Sequence, residues 1–408
     1  MTCSRQATIP GLPELCNDWD QNKRRRVMLS YPGMWTERGG WVFDQGEPPA
    51  DVNWILYFGS VSRLAGPSQA ISGLQERFPA ALMSGCSTAG EILQGSVSDD
   101  SVVAAAVRFD HTRIRGASLP VQGAEQSRKV AKELAEQLTE PDLVHLLILS
   151  DGLKVNGSQL ALGFRDVLPE HVRVTGGLAG DGTRFGKTVV GLNDLVESER
   201  VVAVGFYGDK LRIGCSSEGG WESFGPKRRI TRSRDNILFE LDGKPALDLY
   251  KRYLGDRSAD LPAAGLLYPL ELLATASEEK GLVRTILAVD EEMNSLTFAG
   301  DMPENSYARL MKTRQGGLIL GAEQAGQKVA RDLAGVCSQL TVLVSCVGRR
   351  LVLGSRSDEE LDAVKRAICS AGMTIGMFSY GEICPPQGST RCELHNETMT
   401  VTAFYETE

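Results

Sequence analysis

Three uninterrupted apolar runs mark the chain: VNWILYFGS at Val52–Ser60, LVHLLIL at Leu143–Leu149 and TVLVSCVGRR at Thr341–Arg350. Runs this short, apolar at nearly every position, predict strands buried on both faces. Between them the hydrophobic period changes to that of a helix. AEQSRKVAKELAEQL (Ala124–Leu138) puts Val130, Leu134 and Leu138 on one stripe. Helices are likewise predicted over Lys244–Leu254, with Pro245 in the first turn, over Gly317–Gly335 and over Ser357–Gly372. In the last of these, Ser357 and Glu360 have capping-box spacing. SDGLKVNGS leaves the second run through turn residues and leads to a helix around Leu160–Leu168.

Short polar turns between apolar segments predict three hairpins: Ser101–Phe109 with Arg113–Pro120, Val201–Gly208 with Leu211–Trp221, and LVRTILAVD with SLTFAGDMP across Glu291–Asn294. The passage 218–234, EGGWESFGPKRRITRSR, is rich in glycine and charge and reads as a linker. It divides the chain into domains at 27–217 and 235–408. No short-period repeat, heptad array or low-complexity tract is evident. Strands alternating with helices, plus several hairpins, predict the α/β (α+β) class: two domains of mixed, largely antiparallel sheets covered by helices.

Composition narrows the function. The 408 residues exceed one comfortable core, in keeping with two domains. A net charge of −8 and a pI of about 5.3 argue against nucleic-acid and anionic-membrane partners. The dense basic cluster Lys23–Arg26 reads as an exposed lead-in to the strand starting at Val27. No segment approaches the roughly 18 apolar residues that cross a bilayer. The N-terminal stretch lacks a basic-then-apolar signal pattern, so the expected location is the cytoplasm. Nine scattered cysteines without a CxxC pair fit a reducing compartment and argue against a structural metal site.

Several stretches carry candidate chemistry. SGCSTAGE (Ser84–Glu91) is one residue short of the G-x-S-x-G nucleophile elbow, with Ala89 in the last position. A hydrolase would use Ser87 or Cys86 with a histidine base. The turn-rich EILQGSVSDDS that follows does not read as the helix an elbow opens. Close backbone packing, or a pocket floor of hydroxyls and amides, are the other readings. TGGLAGDGTRFGKT (Thr175–Thr188) misses P-loop spacing by one residue, and its Asp181 and Arg184 either hold a small zwitterion or form a surface turn. LSDGLKVNGS ends a buried strand, where α/β proteins bind ligands, although a plain loop reads equally well. CVGRR sets two arginines at a strand end, where Arg349 clamps an anion or makes a rim salt bridge. GMFSYGEI puts Tyr380 and Glu382 on one side of an extended segment. Of the histidines 111, 145, 171 and 395, His145 reads as a core residue, His111 as an exposed turn residue and His395 as the one facing a site.

Taken in order, SGCSTAGE, LSDGLKVNGS, TGGLAGDGTRF, GKPALDLYKRYLG, VGRR, FSYGEI and LHNETMTVT resemble the signature segments of FIST proteins, from about Val27 to Glu408. Departures are mild: phenylalanine in FSYGEI where a second tyrosine is expected, and Glu397 where glutamine is common. The resemblance implies an N-terminal and a C-terminal FIST domain, and a sensory module binding a small ligand such as an amino acid. With no fused output domain, the signal would pass to a separate partner, such as a kinase. The short stretch before Val27 disfavours the eukaryotic F-box branch of the family. On this reading Ser84, Gly85, Cys86, Ser87, Thr88, Asn156 and Gly177 help form the pocket. Arg184 or Arg349 would take a carboxylate, and Asp151, Asp181 or Glu382 an ammonium. Some stand-alone members are haem proteins that sense nitric oxide and control a histidine kinase. In that version His395 is the first axial candidate, with Cys86 and His145 behind it.

Overall fold

A computed structural model describes residues 27–261, 263–368, 372–386 and 388–408. The basic cluster Lys23–Arg26 and the stretch read for a signal lie outside them. As expected, mixed sheets and helices build the molecule, and three of its four sheets repeat one plan. In each, two parallel strands joined through a helix form the centre: Trp54–Gly59 with Leu82–Ser87, Leu143–Ser150 with Arg173–Leu178, and Leu340–Cys346 with Met373–Ser379. These are the parallel pairings among the described residues. A return strand lies antiparallel to the first strand of each pair: Val102–Phe109, Arg200–Tyr207 and Met399–Glu406. A further strand then covers the return strand: Met28–Thr36, Arg113–Pro120 and Leu211–Glu218.

The other edge of each sheet is completed from a different repeat. The second parallel strand continues into a hairpin that leaves its own sheet. Glu91–Leu93 of the first repeat pairs with Met373–Ser379 of the third. Val190–Leu192 of the second pairs with Leu82–Ser87 of the first, and Gly381–Cys384 of the third pairs with Arg173–Leu178 of the second. Three backbone hydrogen bonds close this circle where the parallel strands end. Ala89 N–H donates to Phe378 O (2.8 Å), Tyr380 N–H to Leu178 O (3.1 Å) and Gly180 N–H to Ser87 O (3.0 Å). The same position of each second strand holds glycine. A methyl group at Gly85, Gly176 or Gly376 would overlap the carbonyl oxygen of Tyr57, Ile148 or Leu343.

The three sheets turn their inner faces to one core. Trp54, Phe206 and Phe404, one from each repeat, have ring centroids 5.0 to 6.0 Å apart. Helices cover the outer faces: Ser127–Leu138 with Gly157–Val167 on the second repeat, Gln315–Asp332 with Ser357–Ala367 on the third. The first repeat carries Gln69–Arg77, with the strand Gly40–Phe43 against it, where Phe43 meets Phe78 edge-on.

Two predicted hairpins are corrected. Val102–Phe109 and Arg113–Pro120 do not pair; the turn between them carries the chain from the first sheet to the second. Arg200–Tyr207 and Leu211–Glu218 likewise belong to the second and third sheets. A short turn between apolar strands looks the same whether it folds a hairpin or switches sheets. At the first switch the Glu406 carboxylate accepts the N–H groups of Asp110, His111 and Thr112 at 2.6–3.0 Å. The third predicted hairpin forms, Ile286–Asp290 with Ser295–Phe298.

The passage 218–234 contains the strand Glu222–Arg234, part of a fourth sheet inserted into the third repeat. Its side chains are largely exposed, with Ile230 buried. An exposed, bulged strand has the composition of a linker. Nor do Ser357 and Glu360 make a capping box, because Ser357 Oγ donates to Gly354 O and Glu360 binds Arg349. Arg349 and Arg350 lie in a short helix, Val347–Leu353, not on the strand.

The exchange of hairpins sets an expectation for the division at 217/235. Fragments 27–217 and 235–408 each hold strands that complete the other's sheets. Expressed separately they should show no cooperative thermal transition by circular dichroism, while the whole chain does. A sharp transition in either isolated fragment would contradict the expectation.

Candidate functional site

SGCSTAGE lies at the centre of the hairpin exchange, and its small side chains are spent on packing. Ser84 Oγ accepts from Trp54 Nε1 (3.0 Å), and Ser87 Oγ accepts from Val189 N–H (3.0 Å). Cys86 is buried against Met377, and burial pushes its thiol well above the ordinary range. Thr88 Oγ1 donates to Glu91 (2.6 Å), whose other oxygen accepts from Ser101 N–H and Oγ. The third repeat copies this clasp. Ser379 Oγ donates to Glu382 (2.7 Å), and Thr398 N–H and Oγ1 donate to its other oxygen at 3.2 and 2.9 Å. In both repeats a carboxylate ties the start of the departing hairpin to the start of the return strand. Among the described residues no histidine hydrogen-bonds Ser87 or Cys86.

The other sequence candidates also have structural partners. Asp151 accepts from Leu153 and Lys154 N–H, Thr188 Oγ1 and Glu199 N–H, which fixes the loop after its strand. Asp181 accepts from the N–H groups of Phe185, Gly186 and Lys187 and from Tyr380 OH. Arg184 is exposed. Gly177 packs against Val344 and Met377. Arg349 is fully buried, paired with Glu360 and donating to the carbonyls of Leu318 and Gly219. Asn156 caps the helix Gly157–Val167 and donates to Asp301.

The residues do not fit a haem. His395 Nε2 lies 3.0 Å from Cys384 O, and burial pushes its pKa down to about 4. His145 is sealed in the central core, near Phe206 and Phe404, with Nε2 3.1 Å from Thr175 Oγ1. Cys86 is buried as described. The described residues hold no group of three His, Cys, Asp or Glu side chains suited to a metal ion.

What the fold does offer is a cavity of about 200 Å³. One wall is the strand-end loop Gly152–Gly157 of the second repeat, with Leu178 and Phe185. Across from it are Thr285 and Phe298–Gly300 of the inserted sheet, and Cys346 with Tyr380 of the third repeat. Of the residues singled out from sequence, Asn156 and Tyr380 line it. No lining side chain is charged. Phe185, Thr285, Phe298 and Cys346 were not singled out, because the insertion that brings them together is invisible in local patterns.

Ionisable groups lie just behind this wall. Thr285 Oγ1 donates to Glu397 Oε1 (2.9 Å), while Glu397 Oε2 and both amide atoms of Asn396 are buried with no hydrogen-bond partner among the described residues. Burial pushes Glu397 up to about 7, against the pull of Thr285 and Arg349. Glu382 rises to about 8 for the same reason, despite its three donors. The Cys346 thiol is raised by burial and by both carboxylates. Arg284, also buried, gives its guanidinium to the carbonyls of Leu394 and Val283, and burial lowers it to about 10.

Comparison with known proteins adds the following. Residues 53–244 match the FIST N domain and residues 246–385 match the FIST C domain. An uncharacterized protein of Methanocaldococcus jannaschii is 25% identical over 286 residues, covering 64% of this chain and 54% of that protein. The chain thus spans about half the length of the curated relative it matches. Among the described residues no helix is long and apolar enough to cross a membrane.

The Glu382 clasp predicts a pH dependence. Its pKa is raised from 4.5 to about 8 on folding, so the folded state favours the protonated form. The contribution is full below about pH 4.5, is lost as pH rises towards 8, and amounts to roughly 5 kcal/mol. Glu382→Gln should remove it. In urea titrations the variant should gain on the wild type steadily from pH 5 to pH 8. A constant difference across that range would contradict the assignment.

Proposed function

The chain belongs to the FIST family, and from that premise we propose that it is a cytoplasmic sensory protein that binds a small molecule in the cavity beside Tyr380 and signals to a separate partner. The family is associated with sensory and signal-transduction roles. The observation that carries the reading is the make-up of the cavity. Gly152–Gly157 and Phe185 come from the segment matching FIST N, and Thr285, Phe298, Cys346 and Tyr380 from the segment matching FIST C. A molecule held there touches both, so its binding energy depends on how they are arranged.

That dependence is what a sensor needs. A ligand shifts a conformational equilibrium only by the difference between its affinities for the two arrangements. The inserted sheet supplies one wall and has its own core cluster, separate from the three repeats' shared core. A catalytic role finds less support, since the polar groups at Ser87 and Cys86 are committed to packing. The haem version finds none at the residues named for it.

The test is a thermal-shift panel of metabolites on the full chain, repeated with Ala299→Phe. Ala299 lines the cavity and is half-buried, so a phenyl group there fills the space at little cost to the fold. A ligand at a hundred times its dissociation constant stabilises by about 2.7 kcal/mol, which for a chain of this size is a rise of roughly 2–5 °C. The variant should lose that rise. A panel without any stabilising compound, or a rise that survives Ala299→Phe, would remove the cavity from the function.

A further inference from the structure

The mouth of the cavity is built around a residue whose backbone conformation is costly. Phe185 has φ +50°, in the left-handed region that a bulky side chain adopts only under constraint. Such strain costs on the order of 1–3 kcal/mol and persists where the surroundings over-determine it. Here they do. Asp181 accepts from the N–H groups of Phe185 (2.9 Å), Gly186 (2.9 Å) and Lys187 (3.0 Å). Tyr380 OH donates to the Asp181 carboxylate, accepts from Asp181 N–H (3.1 Å) and lies 3.1 Å from Gly182 O. The loop is thereby fastened to the third repeat, and the Phe185 ring stacks on Tyr380 with centroids 4.6 Å apart and planes 20° apart.

The result is unusual for a surface loop. Phe185 keeps 42% of its surface exposed, yet both it and Tyr380 line the cavity. Packing alone does not call for a strained, half-open aromatic pair at the mouth of a hole. Three properties of the space behind the pair limit what can enter. It is small: a cavity of about 150 Å³ takes benzene, so about 200 Å³ takes one substituted ring or two fused ones. It is uncharged, and an ion brought into it without a partner would lose several kcal/mol of hydration. The nearby cation Arg284 is turned to backbone carbonyls, and the nearby acids Glu382 and Glu397 are held towards the neutral form by burial. The polar atoms in the wall belong to neutral groups, including the Asn236 amide, whose Nδ2 donates to Phe298 O (2.8 Å), and the Thr285 hydroxyl.

We propose that this cavity takes a small, planar, uncharged aromatic or heteroaromatic molecule, stacked on the Phe185–Tyr380 pair. The proposal rests on the sensory reading and gives the class of ligand. It departs from the amino-acid expectation, because the side chains assigned there to carboxylate and ammonium do not line the space. Under it, Asp181 is a positioning residue: it holds Phe185 in its strained conformation and touches no ligand.

Isothermal titration of the full chain with matched probes tests the class. Benzamide and indole are neutral and planar, benzoate and phenylalanine are charged, and cyclohexanecarboxamide is neutral but not planar. Benzamide or indole should saturate one site and bind at least tenfold more tightly than the charged and saturated probes. Phe185→Ala should weaken that binding roughly five- to tenfold, the share of one aromatic contact, while Phe185→Trp retains it and both keep the wild-type melting temperature. Equal or tighter binding of benzoate, phenylalanine or the cyclohexane analogue overturns the proposal. So does a lack of saturable binding by benzamide and indole, or an unchanged affinity in Phe185→Ala. A charged metabolite whose stabilising effect disappears in Ala299→Phe would overturn this inference and leave the sensory reading standing. If no metabolite responds to Ala299→Phe, the sensory reading itself fails.

Discussion

Everything in this molecule depends on a circular debt of strands. Each of the three repeated sheets lacks an edge, and each is completed by a hairpin from another repeat. The debt is settled where the second parallel strands end, in the ring of hydrogen bonds from Ala89, Tyr380 and Gly180 to Phe378, Leu178 and Ser87. An unpaired edge leaves backbone donors and acceptors without partners, which is costly in a core. No repeat can therefore complete its own sheet, and the chain must fold as a whole. The constraint also explains the small residues. At the ring three segments approach backbone to backbone, and a Cβ at Gly180 would lie 2.8 Å from Ala89 N. Gly85, Gly176 and Gly376 let the two parallel strands within each repeat pack closely.

Departures from the repeat are where the chemistry collects. The residue two before each return strand's first core position is acidic with positive φ in all three repeats: Asp100 at +53°, Glu199 at +57° and Glu397 at +60°. Asp100 and Glu199 are exposed, as charged turn residues usually are. Glu397 is completely buried, because the inserted sheet lies over it and supplies Thr285 as its donor. The second repeat departs in its own way, with the long loop between Leu178 and Val190 where the others pass almost directly into the hairpin. The cavity lies between these two departures, bounded by the loop's Phe185 on one side and the insertion on the other.

How far the sequence could be read follows from the same geometry. Features set by local chemistry were legible: the buried strands, the amphipathic helix with Val130 and Leu134, the exposed His111, the core His145, and the ordered motifs of the family. The repeat was not, although SGCSTAGE, TGGLAGD and GMFSYGE are three versions of one turn. Its copies are separated by unequal insertions, and the second opens into a long loop where the others pass almost directly into a hairpin. Hairpins at Asp110–Thr112 and after Tyr207 were misjudged because exchange is a long-range property that a turn does not encode. Most candidate site residues lie off the cavity for a related reason. Small polar residues suit a ligand pocket and a backbone crossing equally well, and in this chain the crossing uses them.

Arg349 shows what such a scaffold can transmit. Its guanidinium, wholly buried, joins Glu360 on the helix Ser357–Ala367, Leu318 on the helix Gln315–Asp332, Gly219 at the start of the insertion, and the Glu397 carbonyl at 3.4 Å. Breaking a buried pair of this kind leaves an uncompensated charge and costs about 3–5 kcal/mol, so these four attachments move together or not at all. The insertion that walls the cavity is thus tied to the two helices on the outer face of the third sheet. A ligand that displaced that wall would strain the Arg349 contacts, which reach both helices.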